Sequence, residues 1–270
     1  MPRPAVLVIA ATDSSGGAGL TRDVRVLTDF GVDVLCVVTA VTAQSDKKVS
    51  AVHHVPPEVI RAQIAAALAT RQIGAIKIGM LGTQATVEAV VAGLSAAGGI
   101  PIVVDPVLVS TSGGVLLDAG GRAALTGSLF PLAALVTPNV PEAAALLGEA
   151  VAADEAGLIR QGEKLLDFGS HAILLKGGHP YASGRYSGRN EGEDAVDLLI
   201  SGDAAGSLPA RGRRASELSI ERIHSKRIVG SSRGTGCALA SGIAAGLATG
   251  KSLGEACRAA KRYVFGMLAP

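Results

Sequence analysis

AVLVIAATDSSGGAG, residues 5–19, decides how the rest of the chain is read. The apolar run 5–11, with Val and Ile in it, stops abruptly at Thr12, Asp13, Ser14 and Ser15 and then at Gly16 and Gly17. A short apolar segment ending in such a cluster is a buried strand entering a tight loop. A helix is predicted to follow to about residue 30. Outward from there the same alternation continues. A second apolar run covers 34–41, a helix is predicted over 57–69, and a strand over 75–78. Residues 83–97 read as helix, 101–104 and 132–136 as strands, 141–147 and 155–168 as helices, and 172–175 as a strand. Strands alternating with helices of this length require right-handed crossovers and a mainly parallel sheet with helices on both faces, an α/β fold.

From about 180 to 232 the alternation gives way to Gly, Ser, Arg and Glu, with only 196–200 and 227–229 resembling strands, and long loops are expected there. Residues 234–249 then form an Ala/Gly-rich helix and 253–268 a closing one with basic residues on one side. No internal repeat is visible. With 270 residues, the expectation is one domain spanning 1–270.

Composition removes several classes of function. Apolar residues make up 48% and charged residues 18%, which is a core-forming balance and not that of a disordered chain. The formal net charge is +2, and the basic cluster Arg211, Arg213 and Arg214 has no aromatic partners, so nucleic-acid binding is not expected. Cys36, Cys237 and Cys257 lack metal-ligand spacing and are read as free thiols of a reducing compartment. The apolar run 5–11 is too short for a membrane span or a signal core, so no membrane is expected and the cytoplasm is the predicted location.

In such a sheet, ligands bind outside the carboxyl ends of the strands. Those positions carry Asp13, Gln44, Lys77 with Met80, Asp105, Asn139 with Glu142, and Lys176 with Gly177, Gly178 and His179. Singly, each is as readily a cap or turn residue; together they mark one rim as the candidate site. Gly234-Thr235-Gly236-Cys237 opens a long helix, whose unpaired amides and positive dipole end suit an anion. Cys237 sits in that helix's first turn, where a thiol pKa is expected to fall. Cys36 and Cys257 read as ordinary buried residues.

Asn139 and Glu142 are either phosphate and metal groups or a helix-start capping box, and the spacing fits both. Lys176 beside two glycines suits polyphosphate. The loop 13–19 lacks a Walker A ending. It can wrap a small ring, with Asp23 one helical turn on aiming a carboxylate at it. Gln44 offers the paired donor and acceptor that an aminopyrimidine edge requires.

These residues, in order, resemble the bacterial hydroxymethylpyrimidine/phosphomethylpyrimidine kinases of thiamine biosynthesis, within the ribokinase-like superfamily. The resemblance rests on residues 12–19 with Asp23, on Thr42-Ala43-Gln44, on Lys77-Ile78-Gly79-Met80-Leu81, and on Asp105-Pro106-Val107. It continues through Thr137-Pro138-Asn139 to Glu142, Lys176-Gly177-Gly178-His179 and Gly234-Thr235-Gly236-Cys237.

It implies a three-layer α/β/α fold, Mg2+ and ATP, and a homodimer. The reaction it implies is phosphorylation of 4-amino-5-hydroxymethyl-2-methylpyrimidine, of its monophosphate, or of both. By the same resemblance Asp23, Gln44, Met80 and Val107 hold the pyrimidine; Asn139, Lys176 and Gly178 hold the nucleotide; and Asp105 and Glu142 hold the metal. Cys237 stands where related enzymes carry an Asp base, with Gly234, Thr235 and Gly236 supplying the anion hole.

The chain departs from the pattern at Ala11 for the usual Gly, Ser14 for Pro, Ser45 for an amide, and Arg233 for His. Two other readings stand beside this one. Pyridoxine or pyridoxal kinases share the Gly-Thr-Gly-Cys motif and a hydroxymethyl acceptor, and a non-catalytic relative would keep the pyrimidine pocket without transfer.

Overall fold

Strand β1, Ala5–Ala10, is sealed from solvent along its whole length. Its side chains divide between two cores, Leu7 and Ile9 facing one and Val6, Val8 and Ala10 the other. The period of two in a strand makes that division, and a strand apolar on both faces must be covered on both. The coordinates are those of a computed structural model, which describes residues 3–110, 113–177, 194–202, 218–226 and 233–269.

After β1 come α1 (Gly19–Asp29), β2 (Asp33–Val38), β3 (Ala40–Gln44), β4 (Val49–His54), α2 (Pro57–Thr70) and β5 (Ile73–Ile78). Then follow α3 (Gln84–Gly93), β6 (Ile102–Val104), α4 (Ala119–Ala124), β7 (Leu135–Val136), α5 (Val140–Leu147) and α6 (Glu155–Leu166). The chain closes with β8 (Ala172–Leu175), β9 (Asp194–Ser201), β10 (Ser219–Lys226), α7 (Thr235–Ala248) and α8 (Leu253–Leu268).

The main sheet runs β10-β9-β8-β7-β6-β5-β1-β2. From β8 to β2 every pairing is parallel, whereas β9 is antiparallel to both β8 and β10. Helices α2, α3, α5 and α6 supply the core on one face, and α1, α7 and α8 the core on the other. The result is the expected α/β/α sandwich.

The small residues of α7 have a packing reason. A Cβ on Gly242 would stand 3.0 Å from the Cβ of Ala260, and one on Gly246 would stand 2.7 Å from that of Ala256. Only glycine lets α7 lie this close to α8. Its N-terminus is thereby held over the carboxyl edge of the sheet.

Several expectations are corrected. The run 34–41 is two strands, because the chain leaves the main sheet at Thr39, whose N–H donates to the Ala10 carbonyl at 3.1 Å. β3 instead pairs with β4 in a separate two-stranded sheet that the sequence reading did not contain. Strand 132–136 shrinks to β7, and helix 83–97 ends as α at Gly93. Within the stretch expected to be mostly loops, β9 bears out the expected strand 196–200, whereas β10 was not expected; the expected strand 227–229 and the cluster at Arg211, Arg213 and Arg214 lie outside the described residues. Cys36 is exposed on the edge strand β2, not buried, while Cys257 is buried as expected. Among the described residues no helix is long and apolar enough to cross a membrane.

Candidate active site

The carboxyl ends of β1, β5, β6, β7 and β8 open into a cavity of about 890 Å3. Gln44, Met80, Asp105, Val107, Asn139, Glu142, Lys176 and the run from Gly234 to Cys237 all line it. Groups from distant parts of the chain therefore converge. A backbone bridge between Asn139 and Lys176 prolongs the β7–β8 pairing to the cavity edge, so both side chains start from fixed backbone.

At the start of α7, Gly234 is the N-cap with φ 77°, a left-handed conformation that glycine adopts without strain. A Cβ there would collide with the Gly17 carbonyl. Lys176 Nζ lies nearby, 2.8 Å from Asp105 Oδ1 and 3.7 Å from Glu142 Oε2. A Cβ on Gly236 would come within 3.2 Å of that ammonium. Burial opposes the charge of Lys176, but Asp105 and Glu142 outweigh it and hold its pKa up. Burial likewise pushes Asp105 up, yet Lys176 and Lys77 win and its pKa falls. Glu142 is raised, first by burial and further by the Asp105 carboxylate, against the pull of Lys176.

Asn139 and Glu142 turn out to serve both readings. Asn139 Oδ1 accepts from the Glu142 N–H and Glu142 Oε2 from the Asn139 N–H, each at 2.8 Å, a complete capping box. Both residues still line the cavity. Asp105 and Glu142 are hard oxygen donors, and among the described residues no set of three or more His, Cys, Asp or Glu gathers as a metal cage. This pattern fits Mg2+, which takes one or two carboxylates and completes its shell with water and substrate phosphates.

Cys237 does not behave as its helix position suggested. Burial raises the thiol to about 11; Lys77 pulls it down, as does the Gly19 N–H bonded to it, while Asp23 and Asp105 push it up. Desolvation outweighs the pull of Lys77 and the Gly19 N–H, so the thiol form is favoured at rest.

Asp23 also departs from expectation. It does not line the cavity but lies wholly buried beside it, accepting from Lys77 Nζ at 2.8 Å and from Ser241 Oγ at 2.8 Å. Burial pulls the Asp23 pKa up against these partners. Lys77 is held protonated, with burial overcome by Asp23, Cys237 and Asp105. Two donors on one carboxylate fit a charged pair, which places Lys77 as a fixed cation under Cys237.

On the acceptor side, Gln44 is fixed through its own backbone. Ser14 Oγ donates to the Gln44 carbonyl at 2.7 Å and accepts from the Gln44 N–H at 2.8 Å. Thr39 Oγ1 donates to the Met80 carbonyl at 2.7 Å, fixing that residue in turn. Gly178 lies outside the described residues.

Lys77 lines the cavity as the strand-end pattern implied, but sequence reading missed its pairing with Asp23 and the work of Ser14 and Ser241, whose partners are remote in the chain. It also missed the contacts of Arg233. That guanidinium donates to Asp13 Oδ2 at 3.1 Å and, at 3.0 Å each, to Ser15 Oγ, the Ser45 carbonyl and Asp46 Oδ1. Asp13 is itself fixed, accepting the N–H groups of Ser15 and Ala18 at 2.9 Å.

A family model described as phosphomethylpyrimidine kinase matches residues 13–269. The chain belongs to the phosphomethylpyrimidine kinase family. Among curated members it is 41% identical to a hydroxymethylpyrimidine/phosphomethylpyrimidine kinase of Rhizobium meliloti, over 97% of this chain and 90% of that one. It is 39% identical to the Streptomyces coelicolor protein of the same name, over 98% of this chain and 88% of that one.

The solved phosphomethylpyrimidine kinase of Clostridium difficile superposes with a TM-score of 0.77 at 31% identity, covering 99% of this chain and 100% of that one. A Staphylococcus aureus pyridoxal kinase in complex with ADP superposes at 0.81 with 27% identity, covering 99% and 89%. The family's ribokinase-like fold is thus shared with pyridoxal kinases, and backbone shape alone does not separate the two acceptors.

Proposed function

We propose that this kinase transfers the γ-phosphoryl group of ATP to the hydroxymethyl group of 4-amino-5-hydroxymethyl-2-methylpyrimidine, and to the resulting monophosphate, in thiamine biosynthesis. One observation carries the reading: Gln44 and the amides beginning α7 line the same cavity, so an acceptor ring and a phosphoryl group can meet. The identity to curated enzymes of that name, over nearly the whole chain, supports the pyrimidine over pyridoxal.

Each group has a part in the transfer. Gln44 and the Met80 backbone orient the ring, and Val107 supplies an apolar contact. The N–H groups at 234–237 and Lys176 hold the phosphoryl group as it moves, where fixed dipoles in a water-poor site are most effective. Asp105 and Glu142 would hold Mg2+, which would supply the further neutralisation that phosphoryl transfer requires. Cys237 orients the acceptor hydroxyl, and its thiolate, a minority form at rest, takes the hydroxyl proton as the new O–P bond forms and the γ-phosphorus separates from ADP. The exposed β3–β4 hairpin, with Val41 half exposed, is the face we assign to a homodimer contact, and the cytoplasm is the proposed location.

The test is ADP release by the purified protein with Mg2+ and ATP, with and without the hydroxymethylpyrimidine. Acceptor-dependent release is expected. Tight binding of the pyrimidine with no ATP consumed would mark a non-catalytic relative, and release only with pyridoxal would make it a pyridoxal kinase.

A further inference from the structure

We propose that Arg233 recognises the phosphate group of the monophosphorylated acceptor and so sets the balance between this enzyme's two acceptors. The inference rests on the functional reading above and deepens it.

The two acceptors make different demands. A hydroxymethyl group must lose a proton as it attacks. A phosphate monoester, with a second pKa of about 6, is already ionised at neutral pH. One of its oxygens forms the new bond to the γ-phosphorus while the bond from that phosphorus to the bridging oxygen breaks, and the electron pair leaves with ADP. The acceptor releases no proton in this step. What it needs is a cation against two phosphate groups brought together.

The lysines at the site are held by buried carboxylates. Lys77 is wholly buried against Asp23, and Lys176 is bound by Asp105 and Glu142. Arg233 precedes the helix cap and lines the cavity together with Asp13 and Gln44. Its anchoring is uneven in a way that suits exchange. Asp13, with its side chain 3% exposed, holds one end of the guanidinium, whereas the other end is shared by Ser15 Oγ, the Ser45 carbonyl and Asp46, whose side chain is 84% exposed. A pair with so exposed a partner contributes little, so a dianionic phosphate can displace the Asp46 carboxylate while Asp13 keeps the fork aimed. Guanidinium geometry matches phosphate in two parallel bonds.

The experiment measures kcat/KM for the hydroxymethylpyrimidine and for its monophosphate in wild type, Arg233→Gln, Arg233→Lys and Asp46→Asn. In Arg233→Gln the ratio of monophosphate to alcohol turnover should fall at least about 10-fold, mainly through KM for the monophosphate, as loss of a charge-assisted bond predicts. Arg233→Lys should recover part of it. Asp46→Asn should lower KM for the monophosphate by about 3-fold, as a weak competitor is removed. A ratio in Arg233→Gln within about 2-fold of wild type, below what one charged hydrogen bond is worth, overturns the proposal. If that variant does not fold, an unchanged ratio in Asp46→Asn overturns it instead. Wild-type protein that turns over neither acceptor removes the functional reading and this inference with it, whereas an unchanged ratio removes this inference alone.

Discussion

Lys77 Nζ lies 2.8 Å from Asp23 Oδ2, and both side chains are at 0% exposure. Gly79 makes room for the ammonium, since a Cβ there would stand 2.9 Å from Nζ. A charge pair so deep is a poor way to gain stability. Its place beside Cys237 instead sets a buried dipole against the thiol, with Lys77 lowering the Cys237 pKa and Asp23 raising it.

Breaking the pair from one side should be costly. Lys77→Met leaves Asp23 buried and unpaired and is expected to destabilise the protein by about 3–5 kcal/mol. Adding Asp23→Asn should recover about half of that loss, because it removes the stranded charge while leaving an acceptor for Ser241. Thermal or urea unfolding of the single and double variants checks this, and additive losses would contradict it.

The chemistry of Cys237 follows from its raised pKa. With the thiol at about 11, the reactive thiolate is a small minority at neutral pH and grows tenfold with each pH unit. Alkylation of Cys237 by iodoacetamide, followed by peptide mass spectrometry, should therefore accelerate steadily from pH 7 to 10 without levelling. Levelling by about pH 8 would show an activated thiol, and levelling by about pH 9.5 an ordinary one. In turnover, Cys237→Ala should lower kcat for the alcohol acceptor by about 100-fold, the low end for acid–base groups, with little change in KM.

Much of the fold was legible because β1, β5, β6 and β8 are short apolar runs punctuated by loop residues, and a parallel sheet follows from their alternation with helices. β10 was not. Its sequence, SIERIHSK, buries little but Ile223, and its place comes from eight antiparallel pairings with β9 that no local pattern announces. The site was legible as a set of strand-end residues, and the cavity gathers nearly all of them. Asp23 was misread because its spacing in α1 suits a pocket-facing carboxylate, whereas its partner, Lys77, comes from β5. The thiol pKa of Cys237 was misread because helix position is visible in a sequence and desolvation is not.

Glu142 has two duties, and one substitution separates them. Glu142→Gln keeps a side-chain oxygen for the Asn139 N–H but removes a metal-binding charge. The Mg2+ concentration for half-maximal activity should rise about 10-fold or more, while stability changes by less than about 1 kcal/mol. Equal losses in both would assign Glu142 to the helix cap alone.

Gly234→Ala should be disabling out of proportion to its size. The residue must keep φ 77° with a methyl group directed at the Gly17 carbonyl, and the left-handed region alone costs about 1–2 kcal/mol. If the amides of 234–237 hold the transferring group, kcat should fall about 100-fold. Wild-type activity in a folded Gly234→Ala protein would remove the anion hole from the mechanism.

The central claim is tested most directly by competition. The purified protein is given equal amounts of the hydroxymethylpyrimidine and pyridoxal with limiting ATP and Mg2+, and the phosphorylated products are separated and weighed by mass. Pyrimidine monophosphate and diphosphate should account for nearly all the ATP consumed. Pyridoxal phosphate as the main product, or ATP left intact in the presence of bound pyrimidine, would contradict the account.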